Sequence, residues 1–375
     1  MVIVFKIVTK YRIIFLHLFA LISDNYIRKR CSVHILLANI TLLINTNHMI
    51  FKNLQFRSIF FISLAFLFSL SSLSCKDKIQ KTTPTDEAAA VVAPNFKLSL
   101  AQWSIHRMIR EEGVDPYSFA QKASEWGFEG LEYVSQLYDA DLKPANFSEE
   151  AMATFVTKSL AESNKYGLQN VLIMIDGQGN LATTDAVERQ KAVENHYKWV
   201  DAAAALGCHS VRVNLSGSSD PAIWIPSAID GLSALATYAA TKNMNVIVEN
   251  HGGLSSNAGL LVQVMEGVNM ANAGTLPDFG NFCIASEWGA NGRNCTEEYD
   301  RYKGIEEMLP FAKAVSAKSH NFDADGQETE SDFPRIMKLV AAAGYTGFVG
   351  VEYEGSVLSE EAGIIATRDL LISLQ

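Results

Sequence analysis

The chain has 375 residues, 48% hydrophobic and 19% charged, which is enough apolar material for a sizeable core and excludes a disordered tail, a collagen-like repeat or a small disulfide scaffold. Residues 1–74 carry eight Lys or Arg against one acid, Asp24, whereas the remaining 301 residues hold 23 bases and 40 acids. A body with a net charge of −17 repels phosphate backbones and argues against nucleic acid as a partner.

The N-terminal fifth does not read as folded protein. Ser58–Leu73 (SIFFISLAFLFSLSSL) is an uncharged apolar run, preceded by Lys52 and Arg57 and closed by Ser74 and Cys75. A basic flank, an apolar core and small residues at the end make residues 49–74 an export signal. The Cys directly after it resembles a bacterial lipobox, so Cys75 is expected to be the lipidated first residue of a mature protein held in the cell envelope. Ser72 stands where Leu is usual and Leu73 where a small residue is usual. The alternative is an uncleaved signal anchor, for which about 16 apolar residues are short. Residues 1–48 read as a doubtful extension upstream of Met49, a well-placed start, with an extra membrane helix as the alternative. Residues 75–95, with Pro84 and Pro94, read as a flexible tether.

From Phe96 onward, short β-rich runs alternate with longer helical stretches. The expected strands are Leu98–Trp103, Gly130–Tyr133, Val171–Ile175, Ser210–Asn214, Asn245–Glu249, Thr275–Asp278, Val315–Ser319 and Phe348–Glu352. Helices are expected at Asp115–Trp126, Glu149–Tyr166, Thr184–Ala205, Ala228–Lys242, Gly259–Ala273, Tyr299–Ala314, Asp332–Ala343 and Ser359–Ser373. Gly127, Gly167, Gly207 and Gly344 follow helices and precede strands, as helix-stopping glycines do. Eight βα units over residues 96–375 predict one parallel (β/α)8 barrel. An open doubly wound sheet would want a Gly-rich phosphate turn after the first strand, and LSLAQWSIHR has none. Cys208 opens the fourth strand and reads as a buried thiol. Cys283 and Cys295 flank a Gly/Asn-rich stretch and are placed to close it as a disulfide in an oxidising compartment.

Barrel active sites gather at the carboxyl ends of the strands. Strand five ends in Glu249-Asn250-His251, strand six in Asp278-Phe279-Gly280-Asn281, strand seven in Lys318-Ser319-His320, and strand eight in Glu352-Tyr353-Glu354. Alternation puts Glu249 with His251, Lys318 with His320, and Glu352 with Glu354 on common faces. A single strand-end Glu is often only a solvated loop residue, but four chemistry-bearing residues at one topological position on consecutive strands point to a site. Oxygen donors with one imidazole suit Mn²⁺ or Mg²⁺, with Co²⁺ or Zn²⁺ as alternatives. Trp103 and His106 after strand one either cap the barrel or touch substrate. Glu132, Arg212 and Asn214 on strands two and four are either substrate contacts or buried ion pairs.

The segments VENHGG, LPDFGNF, AKSHNFDADG and GVEYEG resemble the xylose isomerase-like barrel superfamily of sugar isomerases and epimerases. That resemblance implies Glu249, Asp278, His320 and Glu352 as metal ligands, with Glu249 and Glu352 moving the proton of an enediolate mechanism. His251 either supports a ligand or touches substrate, and Lys318 or His251 is placed to polarise the substrate oxygen. Asn281 stands where ketose 3-epimerases commonly carry a substrate-binding His, and HNFDADG lacks their following Arg. The superfamily's three-zinc DNA-repair endonucleases need more strand-end His than this body offers. The expectation is a metal-dependent isomerase or epimerase of a non-phosphorylated sugar or keto-sugar. A keto-sugar lyase or dehydratase, and a non-catalytic sugar-binding lipoprotein, are the alternatives. If Cys75 carries lipid, Cys75→Ser should release the protein from membranes or block its processing, read by detergent partitioning and intact mass.

Overall fold

Parallel strands cannot be joined by tight turns, so each β-run here is followed by a helix that carries the chain back to the start of the next strand. The computed structural model describes residues 95–285 and 295–375; the export signal, Cys75 and the tether to residue 94 lie outside the described residues. The strands are β1 Lys97–Ala101, β2 Gly130–Val134, β3 Gln169–Met174, β4 Ser210–Val213, β5 Asn245–Glu249, β6 Ala273–Leu276, β7 Val315–Ser319 and β8 Phe348–Tyr353. They form one parallel sheet in the order β6-β5-β4-β3-β2-β1-β8-β7. The barrel helices are α1 Phe119–Glu125, α2 Glu149–Tyr166, α3 Ala186–Leu206, α4 Pro221–Ala240, α5 Ala258–Val268, α6 Arg301–Met308, α7 Phe333–Ala342 and α8 Glu360–Ser373. This is the expected (β/α)8 architecture. Among the described residues, no helix is long and apolar enough to cross a membrane.

Local chemistry sets the helix ends. Ser148 caps α2 through the Ala151 amide, and Asp185 caps α3 through the amides of Val187 and Glu188. Gly167 and Gly207 end the same two helices in the left-handed region, at φ 67° and 75°. Helix α4 starts well before the expected Ala228. Asp220 caps it, Pro221 fills the first-turn position where no amide is needed, and Pro226 is carried within the helix. The sixth crossover is shorter than expected: α6 stops at Met308 and a 3-10 turn through Pro310 completes it.

Side-chain alternation divides each strand between two cores. Val211 and Val213, Val246 and Val248, and Val349 and Val351 pack outward in the large cluster shared with the helices. Leu172, Met174, Ile247 and Leu276 belong to a smaller interior cluster. The same parity turns Glu132, Arg212, Glu249, Lys318 and Glu352 into the barrel. Gly350 leaves room for one of them, since a Cβ there would sit 2.4 Å from Glu132 Oε1.

The seam between β6 and β7 differs from the rest. Among the described residues it carries only isolated parallel bridges, Thr275 with Ala312 and Asp278 with Ser316. Pro277 has no amide to donate, but its carbonyl accepts from Ser316 at 2.9 Å, and Phe279 donates to the Ser316 carbonyl at 3.0 Å. Just beyond this seam, Cys283 and Cys295 are bridged, with Cα atoms 5.7 Å apart, while Cys208 is a buried free thiol. Closing a loop of this length contributes about 3 kcal/mol through the unfolded state. Non-reducing peptide mapping should recover the pair as one linked peptide, and Cys295→Ser should lower the denaturation free energy by about 2–3 kcal/mol.

Candidate active site

Glu249 closes β5, Asp278 follows β6, and Glu352 lies on β8; one carboxylate oxygen from each falls within a 4.8 Å group. All three are buried. Asp278 is held by its own loop: Oδ1 accepts from the amides of Gly280 and Asn281 at 2.8 and 2.9 Å, and Oδ2 from Ser316 Oγ at 2.7 Å. Asn250, next to Glu249, ties the two strand ends together. Its Nδ2 donates to the carbonyls of Asp278 and Asn281, and its Oδ1 accepts from the Asp278 amide at 2.7 Å. Asn281 Nδ2 donates to Glu249 Oε1 at 3.0 Å, orienting that carboxylate.

Two cations are built into the cluster. Arg212 Nη1 donates to Asp176 Oδ1 at 2.9 Å, and its Nε lies 2.8 Å from Glu249 Oε2. That second contact is close but not aligned as a hydrogen bond, and both of its atoms lack a hydrogen-bond partner. Lys318 faces Glu352 because the β7–β8 register pairs those two residues. Its Nζ lies 2.9 Å from Glu354 Oε1, 3.1 Å from Glu352 Oε1 and 3.8 Å from Asp278 Oδ2. Glu352 Oε2 has no hydrogen-bond partner.

Burial dominates the protonation of this group. It pushes Glu249, Asp278 and Glu352 above the ordinary carboxyl range, against the pull of Arg212 on the first and of Lys318 on all three. Burial works in the same direction on Glu354 and Asp176 but loses. Lys318 holds Glu354 down at about 2, and Arg212 keeps Asp176 below its usual value. Lys318 itself would be neutralised by burial alone, yet the surrounding carboxylates hold it well above the usual lysine value. Burial, with Arg212 and Lys318 nearby, lowers His251 to about 4, so its imidazole is neutral at physiological pH. The Glu352 Oε2 left without a hydrogen bond, and the buried carboxylate oxygens of Glu249 and Asp278 beside it, fit a divalent cation held by hard oxygen donors.

The expected ligand His320 is not in the carboxylate group. It lies one residue past the end of β7, where its amide donates to Glu328 Oε1 at 3.1 Å and its Nδ1 sits 3.5 Å from Glu330 Oε2. Its Nε2 has no hydrogen-bond partner. Asn214 donates to Asp176 Oδ1 at 2.8 Å and so joins the Arg212 arm. His251 is half-buried and anchored by its amide on Ser255 Oγ. Trp103 and His106 stack on each other with ring centroids 4.4 Å apart, and His106 lies 3.4 Å from Glu360. Among the described residues, no hydrogen bond or ion pair joins either of them to the carboxylates. Sequence reasoning missed Asp176, Ser316 and the role of Glu354. Asp176 follows β3, so the strand-end rule would have found it.

A sequence profile described as xylose isomerase-like TIM barrel matches residues 120–374. No curated protein matches the sequence. Among solved structures, an L-ribulose 3-epimerase superposes with a TM-score of 0.57 at 14% identity, covering 74% of this chain and 94% of that one. A 3-keto-D-glucoside 4-epimerase from E. coli gives 0.55 at 13% identity, over 74% and 100%. A xylose isomerase-like TIM barrel protein from Mycobacterium smegmatis, in complex with magnesium, gives 0.52 at 17% identity, over 74% and 96%. At such identities the likeness is one of fold.

Glu132 offers a measurable signature of this interior. It is fully buried, accepts from Ser99 Oγ at 2.6 Å, and its Oε2 has no hydrogen-bond partner. Burial, opposed by the Ser99 bond and reinforced by Glu249, raises its pKa from 4.5 to about 7. The folded state therefore binds this proton more tightly than the unfolded chain. The resulting stability is complete below about pH 4.5 and is lost as pH rises through about 7. Glu132→Gln keeps a neutral side chain at every pH. Its stability relative to the native chain should rise across that window by up to roughly 3 kcal/mol. Chemical denaturation of both proteins between about pH 4 and 8 checks this, and a constant difference would refute it.

Proposed function

The chain belongs to the xylose isomerase-like TIM barrel family, and from that footing we propose that it is a divalent-cation-dependent isomerase or epimerase of a non-phosphorylated sugar or keto-sugar. The observation that carries this reading is the buried group of Glu249, Asp278 and Glu352 at the carboxyl ends of the strands. Two structural neighbours are, by name, epimerases of a ketose and of a keto-glycoside, which supports sugars as the substrate class. The charges argue against a phosphorylated sugar. Both cations of the cluster are already engaged by carboxylates, which leaves neither free to receive a phosphate. An address in the cell envelope with a lipid anchor at Cys75 fits the export-type N-terminus, and a disulfide between Cys283 and Cys295 suits an oxidising compartment.

When bound by the three carboxylates, a divalent ion would supply Lewis acidity toward the substrate's carbonyl and neighbouring hydroxyl. The protein's own residues do the rest. Glu249 and Glu352 project from β5 and β8, three places apart around the barrel, so that they flank a substrate in the mouth. Burial raises both carboxyl pKa values, the direction that suits a group that takes and returns protons. One removes the proton beside the carbonyl and the other returns it. Asn281 and Arg212 hold Glu249 in position, while Lys318 and neutral His251 can donate to substrate oxygens.

Glu249→Gln and Glu352→Gln should each lower turnover about 10²–10⁴-fold while the barrel stays folded, and the two variants should differ in solvent-deuterium incorporation. Asp278→Asn should lose divalent-cation binding. Mass spectrometry of products from free and oxidised sugars separates the chemistries. Isomers of unchanged mass support the proposal, whereas loss of water or of an aglycone would replace it with a lyase.

A further inference from the structure

Lys318 reaches two of the three carboxylates, Glu352 and Asp278, and also Glu354, and these contacts are unequal. Its one aligned hydrogen bond runs to Glu354 Oε1 at 2.9 Å. The approaches to Glu352 and Asp278, at 3.1 and 3.8 Å, are ion-pair contacts only. The Lys318 stem is seated against Gly280, where an added Cβ would lie 3.0 Å from its Cδ. Lys318 is 2% exposed, whereas Glu354 is 23% exposed and marks the solvent side of the pair. A divalent ion on the carboxylate group would need the oxygens that this ammonium now neutralises. Two cations sharing those oxygens repel strongly in a buried site. Among its present partners, only Glu354 lies outside the carboxylate group.

We propose that Lys318 is an internal counter-ion that a divalent cation displaces onto Glu354, so that the Lys318–Glu354 pair sets how tightly the site takes the ion. The inference rests on reading Glu249, Asp278 and Glu352 as a divalent-cation site. It assigns Lys318 and Glu354 to tuning that site rather than to holding the ion.

The test is a Mn²⁺ titration of the full-length protein, with free ion counted by its electron paramagnetic resonance signal. Native chain, Lys318→Met, Glu354→Gln and the double variant are compared. Lys318→Met should bind Mn²⁺ about tenfold tighter or more, and Glu354→Gln should bind it about tenfold weaker, because Lys318 then has only the carboxylate group to pair with. The double variant should match Lys318→Met, since Glu354 acts through the lysine. Glu354→Gln keeps the test open if Lys318→Met does not fold. Equal affinities throughout, weaker binding by Lys318→Met or tighter binding by Glu354→Gln would overturn the inference and leave the divalent site standing. No Mn²⁺ binding by any of the four would overturn both readings.

Discussion

The compensation of buried carboxylates inside the barrel mouth governs what the rest of the structure must provide. Asp176, Glu249, Asp278, Glu352 and Glu354 share two fixed cations, Arg212 and Lys318. Carboxylates removed from water are costly unless paired and hydrogen-bonded. The barrel meets that demand with strand register and with loops. The β7–β8 register sets Lys318 opposite Glu352, and the tight turn after β6 aims two amides at Asp278. Arg212 comes from β4 with its partner Asp176 just past β3. What remains after this pairing is a surplus of negative charge at one place, which is the property a divalent cation would use.

The two arms of the site belong to different blocks of the barrel. Asn250 locks the end of β5 to the turn after β6, so Glu249 and Asp278 keep one geometry relative to each other. Glu352, Glu354 and Lys318 sit on or beside the paired strands β7 and β8. The β6–β7 seam, with its isolated bridges and its proline, runs between the blocks. The carboxylate group thus straddles the least continuous part of the sheet.

Much of this was legible in the sequence, for reasons that also explain the misses. The bounds of β5 and β7 coincide with expectation, and in β5 the reason is a β-branched run, Val246-Ile247-Val248, that ends abruptly in polar residues. Glu249, Asp278 and Glu352 followed from the strand-end rule. Period-two alternation gave Lys318 and His320 the same face but could not rank them. His320 lies about 7 Å further along the chain direction, beyond the strand, where Glu328 and Glu330 receive it. Asp176 lies just past β3 and obeys the same strand-end rule, but its partner Arg212 is distant in sequence. Helix α4 begins ahead of the expected Ala228 because the Asp220–Pro221 cap starts it and Pro226 is accommodated within it.

Asp278 has a second part in the architecture. Ser316 from β7 bonds to its side chain, while backbone bonds on either side of it run to the same serine. The residue that offers an oxygen to the site is therefore also the rivet of the one seam lacking a regular ladder. By mass action, whatever occupies the site favours the closed barrel over the open chain. A ligand held through Asp278 would therefore act on a residue that also joins β6 to β7.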